Sequence, residues 1–257
     1  VAMLLLLSSC GSVPLTGRKQ VLLVSDQEVL SSSLTQYSDY MKSAKKSSSK
    51  DGAAMVTRVG KKIAAATEQY LRNNGLESEI KNFAWEFNLV NDPQVNAFCM
   101  PGGKIVVYEG LMQLVSSDDE LAVVVGHEVA HAVAKHSNER MSQQLMAQYG
   151  AQILGQALSN KSAAVQKSGA SVYGLGAQYG VMLPFSRKHE SEADYMGLVF
   201  MAMAGYNPAV AVNFWQKMSA GKSGSTPEFM STHPSDATRI NEIKQHLPEI
   251  EKYRVKK

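Results

Sequence analysis

The sequence has no run of the roughly 20 consecutive apolar residues that a helix needs to cross a bilayer, so no segment of it reads as a transmembrane helix. Cysteine is scarce: Cys10 and Cys99 are the only two, which cannot build a disulfide framework. Net charge is scarce as well. Lysine and arginine total 26 against 23 aspartates and glutamates, leaving +3, and no basic patch interleaved with aromatics appears. Nucleic acid is therefore not an expected partner. The cluster Lys42, Lys45, Lys46, Lys50, Lys61 and Lys62 reads as a solvated face. No internal repeat is evident. What is present, 257 residues that are 44% hydrophobic and 19% charged, describes an ordinary globular chain able to bury a substantial core.

The first ten residues, VAMLLLLSSC, are apolar but too short to span a membrane. They read as the rear half of a secretory signal whose charged start is missing. Leu7-Ser8-Ser9-Cys10 resembles the bacterial lipobox, in which the cysteine is acylated and becomes the mature N-terminus. Gly11, rather than an aspartate, follows Cys10, which by the same resemblance favours the outer membrane. The expected organisation is a signal remnant over 1–10, ending at a lipidated Cys10, and a single domain over 11–257. The expected location is the periplasm of a Gram-negative bacterium, with a lipid anchor on the outer membrane. A Cys10–Cys99 disulfide is the competing use of the two thiols.

Downstream, residues 11–24 look irregular. Ser25-Asp26-Gln27-Glu28 is a capping box that opens a helix to about Lys45. Apolar residues from Ala54 to Tyr70 recur at helical spacing until Asn73-Asn74-Gly75 stops them. Phe83, Trp85, Phe87 and Leu89 then alternate with polar neighbours, the period of a half-buried strand. Asn96-Ala97-Phe98-Cys99-Met100 and Lys104 to Tyr108 flank Pro101-Gly102-Gly103 and predict a hairpin. One of its strands is either an edge that a peptide can extend or simply one arm of a plain turn. Ser117-Asp118-Asp119-Glu120 opens another helix. From Ser137 to Leu183 the pattern is helical, small and amphipathic, which suits either a mobile flap or a loosely packed structural hairpin. Helices are expected from Pro184, from Pro208 to Ser219, and from Ser235 to His246, with a polar loop over Gly221 to Thr226. The fold class expected is α+β, mostly helical, with a small β-sheet.

The chemistry concentrates in His127-Glu128-Val129-Ala130-His131, inside the apolar helix that Leu121 to Val125 begins. Residues four apart on a helix share a face, so His127 and His131 can aim their imidazoles at one point. Glu128 lies about 100° round the helix from His127, within reach of a water at that point. Two histidines, a base and an open position are what a zinc hydrolase needs. A further protein ligand is required, usually a carboxylate on a separate helix. Glu190 is the leading candidate, with Asp194 on its face four residues on; Glu192 and His189 remain alternatives.

His127-Glu128-x-x-His131, then Phe185-Ser186-Arg187-x-x-Glu190-x-Glu192-Ala193-Asp194, then Thr232-His233-Pro234 with Arg239, resembles the HtpX and CAAX-prenyl-protease family of gluzincin metallopeptidases. Asn96-Ala97-Phe98 through Gly103 is similar to that family's edge-strand segment, and the likeness runs from about Gly17 to His246. Within the family, the lipobox-like start and the lack of a long repeat domain most resemble its short periplasmic lipoproteins. The resemblance implies a zincin-like domain whose edge strand flanks the cleft, with one Zn2+ per chain held by His127, His131 and Glu190. It makes Glu128 the catalytic base and gives Asp194 an orienting role behind a ligand imidazole. His233 and Arg239 approach from the far side, as donors to the reaction's oxyanion or, for His233, as a cap on the open zinc position at rest. Cys99 is expected to pack and nothing more. The implied activity is endoproteolysis of misfolded or unfolded cell-envelope proteins, with outer-membrane proteins as partners. The alternatives are a chaperone-like binding module with a latent zinc site, a different zinc amidohydrolase, and an intramembrane protease, which the lack of a span argues against.

Overall fold

The computed structural model describes residues 10–178, 182–220, 228–233 and 237–255, without the side chains of 10 and 183–185. Most of the signal remnant (1–9), the polar loop at 221–226 and Pro234 lie outside the described residues. The architecture is α+β and mostly helical, as expected.

The chain opens with a correction. Residues read as irregular form a small antiparallel hairpin, β1 (Cys10–Ser12) and β2 (Lys19–Val21), turning through Leu15 and Gly17 at positive φ. Three-residue strands are too short for alternation to reveal. Helix α1 (Asp26–Ser43) has both halves of its capping box: Glu28 N–H donates to Ser25 Oγ (3.2 Å) and Ser25 N–H to Glu28 Oε2 (3.1 Å). Helix α2 (Lys50–Asn73) starts on Ser49 and stops where expected, at Gly75. A single turn, α3 (Glu77–Ile80), follows.

The alternating stretch becomes strand β3 only from Glu86 to Val90, because Phe83 and Trp85 stack on each other at 4.6 Å ahead of it. Strands β4 (Ala97–Met100) and β5 (Lys104–Tyr108) make the expected hairpin, antiparallel with Met100 opposite Lys104. Gly102 and Gly103 turn it at φ of +94° and +79°, a region that side chains disfavour. β3 joins β5 in parallel, so the order is β3-β5-β4 with β5 central and buried throughout. Among the described residues β4 therefore has one edge not paired to a strand.

After α4 (Glu109–Met112) comes α5 (Asp118–Val133), in which every residue from Leu121 to Ala130 is buried. A helix apolar on all sides belongs inside the protein. At its start Ser117 Oγ accepts from Glu120 N–H (3.2 Å), but the Glu120 carboxylate reaches Ser116 N–H (2.8 Å) rather than that of Ser117. Helix α6 (His136–Ala157) and α7 (Ala163–Ala177) form an external helical hairpin. Helix α8 (Leu183–Met203) crosses α5 closely: a Cβ added to Gly126 would lie 2.8 Å from the Gly197 carbonyl oxygen, so the two backbones meet through paired glycines. Helices α9 (Val210–Ala220), α10 (Glu228–Thr232) and α11 (Ala237–Ile250) close over this pair, α11 running a turn beyond the expected His246. No helix of the described residues is long and apolar enough to cross a membrane.

Candidate metal centre

Helix α5 presents His127 and His131 one turn apart, and the close α5–α8 crossing sets Glu190 and Asp194 against them. His233 arrives from the end of α10. One donor atom each from His127, His131, Glu190 and His233 lie within 4.8 Å of one another. The Nε2 atoms of His127 and His131 are 3.1 Å apart, and Glu190 is 3.3 Å from His127 Nε2 and 3.4 Å from His131 Nε2. His233 Nδ1 sits 3.1 Å from Glu190 and 3.3 Å from His127 Nε2. The alternatives left open for the carboxylate are thereby separated. Glu190 points into the group, whereas Glu192 and His189 point away from it, to His136 and Glu139 (3.0 and 2.9 Å).

Asp194 accepts from His127 Nδ1 (3.0 Å), which turns His127 Nε2 toward the centre. Arg239 in turn grips Asp194 through Nε (2.5 Å) and Nη2 (2.9 Å), reaches Glu190 Oε2 (3.1 Å) and the His233 carbonyl (3.3 Å), and lies over the buried Trp215. The Arg239 guanidinium is thus spread over the two carboxylates and a backbone carbonyl, holding Asp194 and Glu190 in place.

The electrostatics favour a cation. Burial opposes ionisation of Glu190, but hydrogen bonds from His127, His131 and His233 overcome it and hold the carboxyl well below its usual range. Burial likewise disfavours the charged form of His127, yet the Asp194 and Glu190 carboxylates lift its pKa to about 9. Burial drives His131 well below the ordinary histidine value. A pocket that draws a proton onto one buried imidazole carries uncompensated negative charge, and a metal competes for that place. Two neutral imidazoles and a carboxylate are a zinc donor set. Glu128 adds a second sign of fit. Its Oε2 accepts the Cys99 N–H (3.3 Å), while Oε1 is buried without a hydrogen-bond partner among the described residues, 3.5 Å from His233 Nε2. Burial raises the Glu128 pKa.

Beside the centre runs β4. The Asn96 carbonyl bonds Tyr108 N–H across the sheet (3.1 Å), and hydrogen bonding alternates along a strand. The N–H groups of Ala97 and Cys99 thus turn outward, the former donating to Asn96 Oδ1 (2.9 Å) and the latter to Glu128, and Phe98 faces its partner. A cleft of about 550 Å³, lined by Val29, Ser33, Phe98, Cys99, Met100 and Met141, follows this strand. The thiol of Cys99 is driven well above its usual pKa by burial and by Glu128, which agrees with packing; its backbone N–H, however, has a place in the site that the side chain did not suggest.

The model of peptidase family M48 matches residues 57–247. The chain belongs to that family. Similar proteins include the mitochondrial metalloendopeptidase OMA1 of Schizosaccharomyces pombe, 37% identical over 76% of this chain and 53% of the relative. Human OMA1 is 28% identical over 94% of this chain and 46% of its own. The beta-barrel assembly-enhancing protease of Escherichia coli is 29% identical over 65% and 35%. The chain thus spans about half, or less, of these relatives' lengths. M48 proteins are zinc metallopeptidases, and the gluzincin resemblance read from the motifs holds at that level.

Three residues around the M48 centre, His136, Arg18 and Glu139, escaped the sequence. His136 Nδ1 lies 2.8 Å from His131 Nδ1, on the side away from the metal group. Its Nε2 bonds Glu192 Oε2 (3.0 Å), and Arg18 Nε bonds the same oxygen (2.8 Å). Arg18 also forks onto Glu139 (2.9 and 2.7 Å), which accepts from His189. The sequence signal was a further histidine, His136, five residues past the motif. Lys135, at φ +56°, breaks the helix between His131 and His136, so helical spacing does not carry across.

Proposed function

We propose that this chain is a zinc-dependent endopeptidase in which His127, His131 and Glu190 hold one zinc ion and Glu128 is the general base. The observation that carries the reading is the convergence of those three donors beside a buried Glu128 oxygen that has no hydrogen-bond partner among the described residues. Zinc, when bound, supplies a Lewis acid that polarises the scissile carbonyl and acidifies water. Glu128 takes the proton of the attacking water at its unpartnered Oε1 and returns it to the leaving amine; the upward shift that burial gives its carboxyl suits both halves of that exchange. Asp194 keeps the proton of His127 on Nδ1, and Arg239 keeps Asp194 in place. β4 binds the substrate backbone as an added strand along the cleft, with Asn96, Ala97 and Phe98 opening that edge. Replacing Glu128 with glutamine retains zinc and abolishes casein cleavage; an E128Q protein that cuts at the wild-type rate overturns the assignment.

The substrates proposed are misfolded or unfolded proteins of the cell envelope, outer-membrane proteins among them. Support comes from the lipobox-like Leu7 to Cys10 and from likeness to the bacterial protease named for β-barrel assembly. On this reading the protein is most similar to short periplasmic lipoproteins and is held on the outer membrane through an acylated Cys10. Fatty-acid labelling in wild type and its absence in Cys10→Ser tests the anchor, and labelling in neither refutes it.

A second reading, a binding module with a latent zinc site, is favoured by one feature: His233 stands inside the donor group. If His233 caps the open position, His233→Ala raises casein cleavage; if it donates to the reaction, the same change lowers it.

A further inference from the structure

We propose that His136, Glu192 and Arg18 form a positioning relay for His131, which makes the N-terminal hairpin a working part of the metal centre. The inference rests on the zinc reading above.

The proton arrangement of the chain is determined by its ends. For His131 Nε2 to offer a lone pair to a metal, its single ring proton must sit on Nδ1. That proton then points at His136 Nδ1, 2.8 Å away, which must accept. His136 accordingly carries its own proton on Nε2 and donates it to Glu192 Oε2 at 3.0 Å. Glu192 ends the order as an acceptor: Arg18 Nε, at 2.8 Å, and Thr16 Oγ1 also donate to its two oxygens. Donation thus runs one way from His131 through His136 to Glu192, and Arg18 donates to the same carboxylate from the opposite side. His136 and Glu192 are buried, so water does not replace them.

The other zinc-facing histidine has the same support in shorter form: His127 donates to Asp194, and Asp194 is clamped by Arg239. Outer partners of this kind fix the tautomer and the ring orientation of a metal-binding histidine. On its far side His131 meets, among the described residues, a second imidazole and reaches a carboxylate through it.

The backbone is shaped for this link. On an uninterrupted helix, a residue five on from His131 lies about 140° round the axis and faces elsewhere. Lys135 at φ +56° ends α5 and restarts the helix at His136, and the two rings come to 4.8 Å. Lys135 is itself pinned by Asp26 (2.6 Å) and Glu79 (2.9 Å). His136 also stacks on His189 at 4.2 Å, and Glu139, bonded to His189, takes the other side of the Arg18 fork. Arg18 and Thr16 lie ahead of residue 57, where the family match begins. The match therefore does not contain the end of the relay.

The test is zinc affinity of the full chain by chelator competition, with the visible spectrum of the Co2+-substituted protein as a second readout. Melting of the metal-free proteins is measured alongside. His136→Ala, Glu192→Gln and Arg18→Gln are expected to weaken zinc binding by about 10- to 100-fold, most at His136 and least at Arg18, and to alter the Co2+ bands. Arg18→Lys, which keeps charge but not the fork, should fall between Arg18→Gln and wild type. Should the buried variants fail to fold, the Arg18 pair carries the test, since that side chain is 22% exposed. Variants that melt lower yet keep wild-type zinc affinity and Co2+ bands show a merely structural network and overturn the relay alone. A wild type that takes up no zinc overturns the zinc reading together with it.

Discussion

Helices α5 and α6 are consecutive in the chain and nearly touch at Lys135, yet they differ in almost every physical respect. From Leu121 to Ala130 each residue of α5 is buried, histidines and Glu128 included. In α6 the buried residues end at Gln143, and none of the described residues of α7 is buried; Ile153 and Val172 are 66% and 72% exposed. The boundary between these regimes coincides with the edge of the metal centre. His136 and Glu139 belong to the centre's support, and the rest of the hairpin projects away from it. The difference teaches where rigidity is required. Metal-binding side chains need their rings held to fractions of an ångström, which packing on all sides provides, whereas a hairpin stabilised mainly by its own two helices provides no such restraint.

Substitutions can sharpen this contrast, and the largest effect is chemical. Glu128→Gln changes one atom in the buried helix and is expected to reduce casein cleavage by about 10²- to 10⁴-fold, the usual contribution of a general base. Unchanged zinc content in the same protein shows that the helix stays in place. Next comes the crossing that seats the centre. Gly197→Ala would put a Cβ 2.8 Å from the Gly126 carbonyl carbon; forcing apart packed backbones costs about 1–3 kcal/mol, read as a lower midpoint in urea with zinc affinity falling in step. The mirror experiment on the hairpin, Ile153→Ser or Val172→Ser, should change stability by no more than about 0.5 kcal/mol and leave zinc binding untouched. A large loss there would mean the hairpin packs against the centre after all.

Acid provides a test at the junction itself. Burial opposes ionisation of Glu139, but hydrogen bonds from His189 and Arg18 bring its pKa down to about 2 from the ordinary 4.5. A carboxyl whose pKa falls on folding stabilises the folded state above its unfolded value, and that contribution is lost as pH drops through the folded value. Metal-free melting temperatures should therefore fall between pH 4.5 and 2, and Glu139→Gln should make that fall shallower. An identical acid slope in the variant would remove Glu139 from the account.

How much of this was readable beforehand follows from how local each feature is. His127, Glu128 and His131 share one unbroken helix, so their spacing alone fixed their geometry, and the apolar residues around them announced burial. Glu190 and Asp194 were legible for the same reason on α8. Choosing Glu190 over Glu192 and His189 was harder, because residues one or two apart point in different directions and only the crossing at Gly126 and Gly197 decides which of them meets α5. His233, just past α10, and Arg239, in α11, came from family likeness, which placed them near the centre but did not reveal that Arg239 bonds Asp194 and Glu190. The relay through His136 was not readable at all. It crosses a left-handed residue and joins positions 18 and 192, and no periodicity spans either step. The β1–β2 hairpin that carries Arg18 was missed because strands of three residues leave too little alternation to detect.

The central claim is that one zinc ion sits among His127, His131 and Glu190 in a pocket that excludes cysteine. X-ray absorption at the zinc edge of the purified full chain tests it most directly. The account predicts about one zinc per chain, nitrogen and oxygen scatterers at about 2.0–2.2 Å, and the outer-shell pattern of at least two imidazoles. Sulfur in the first shell, fewer than two imidazoles, or a protein that retains no zinc would contradict it.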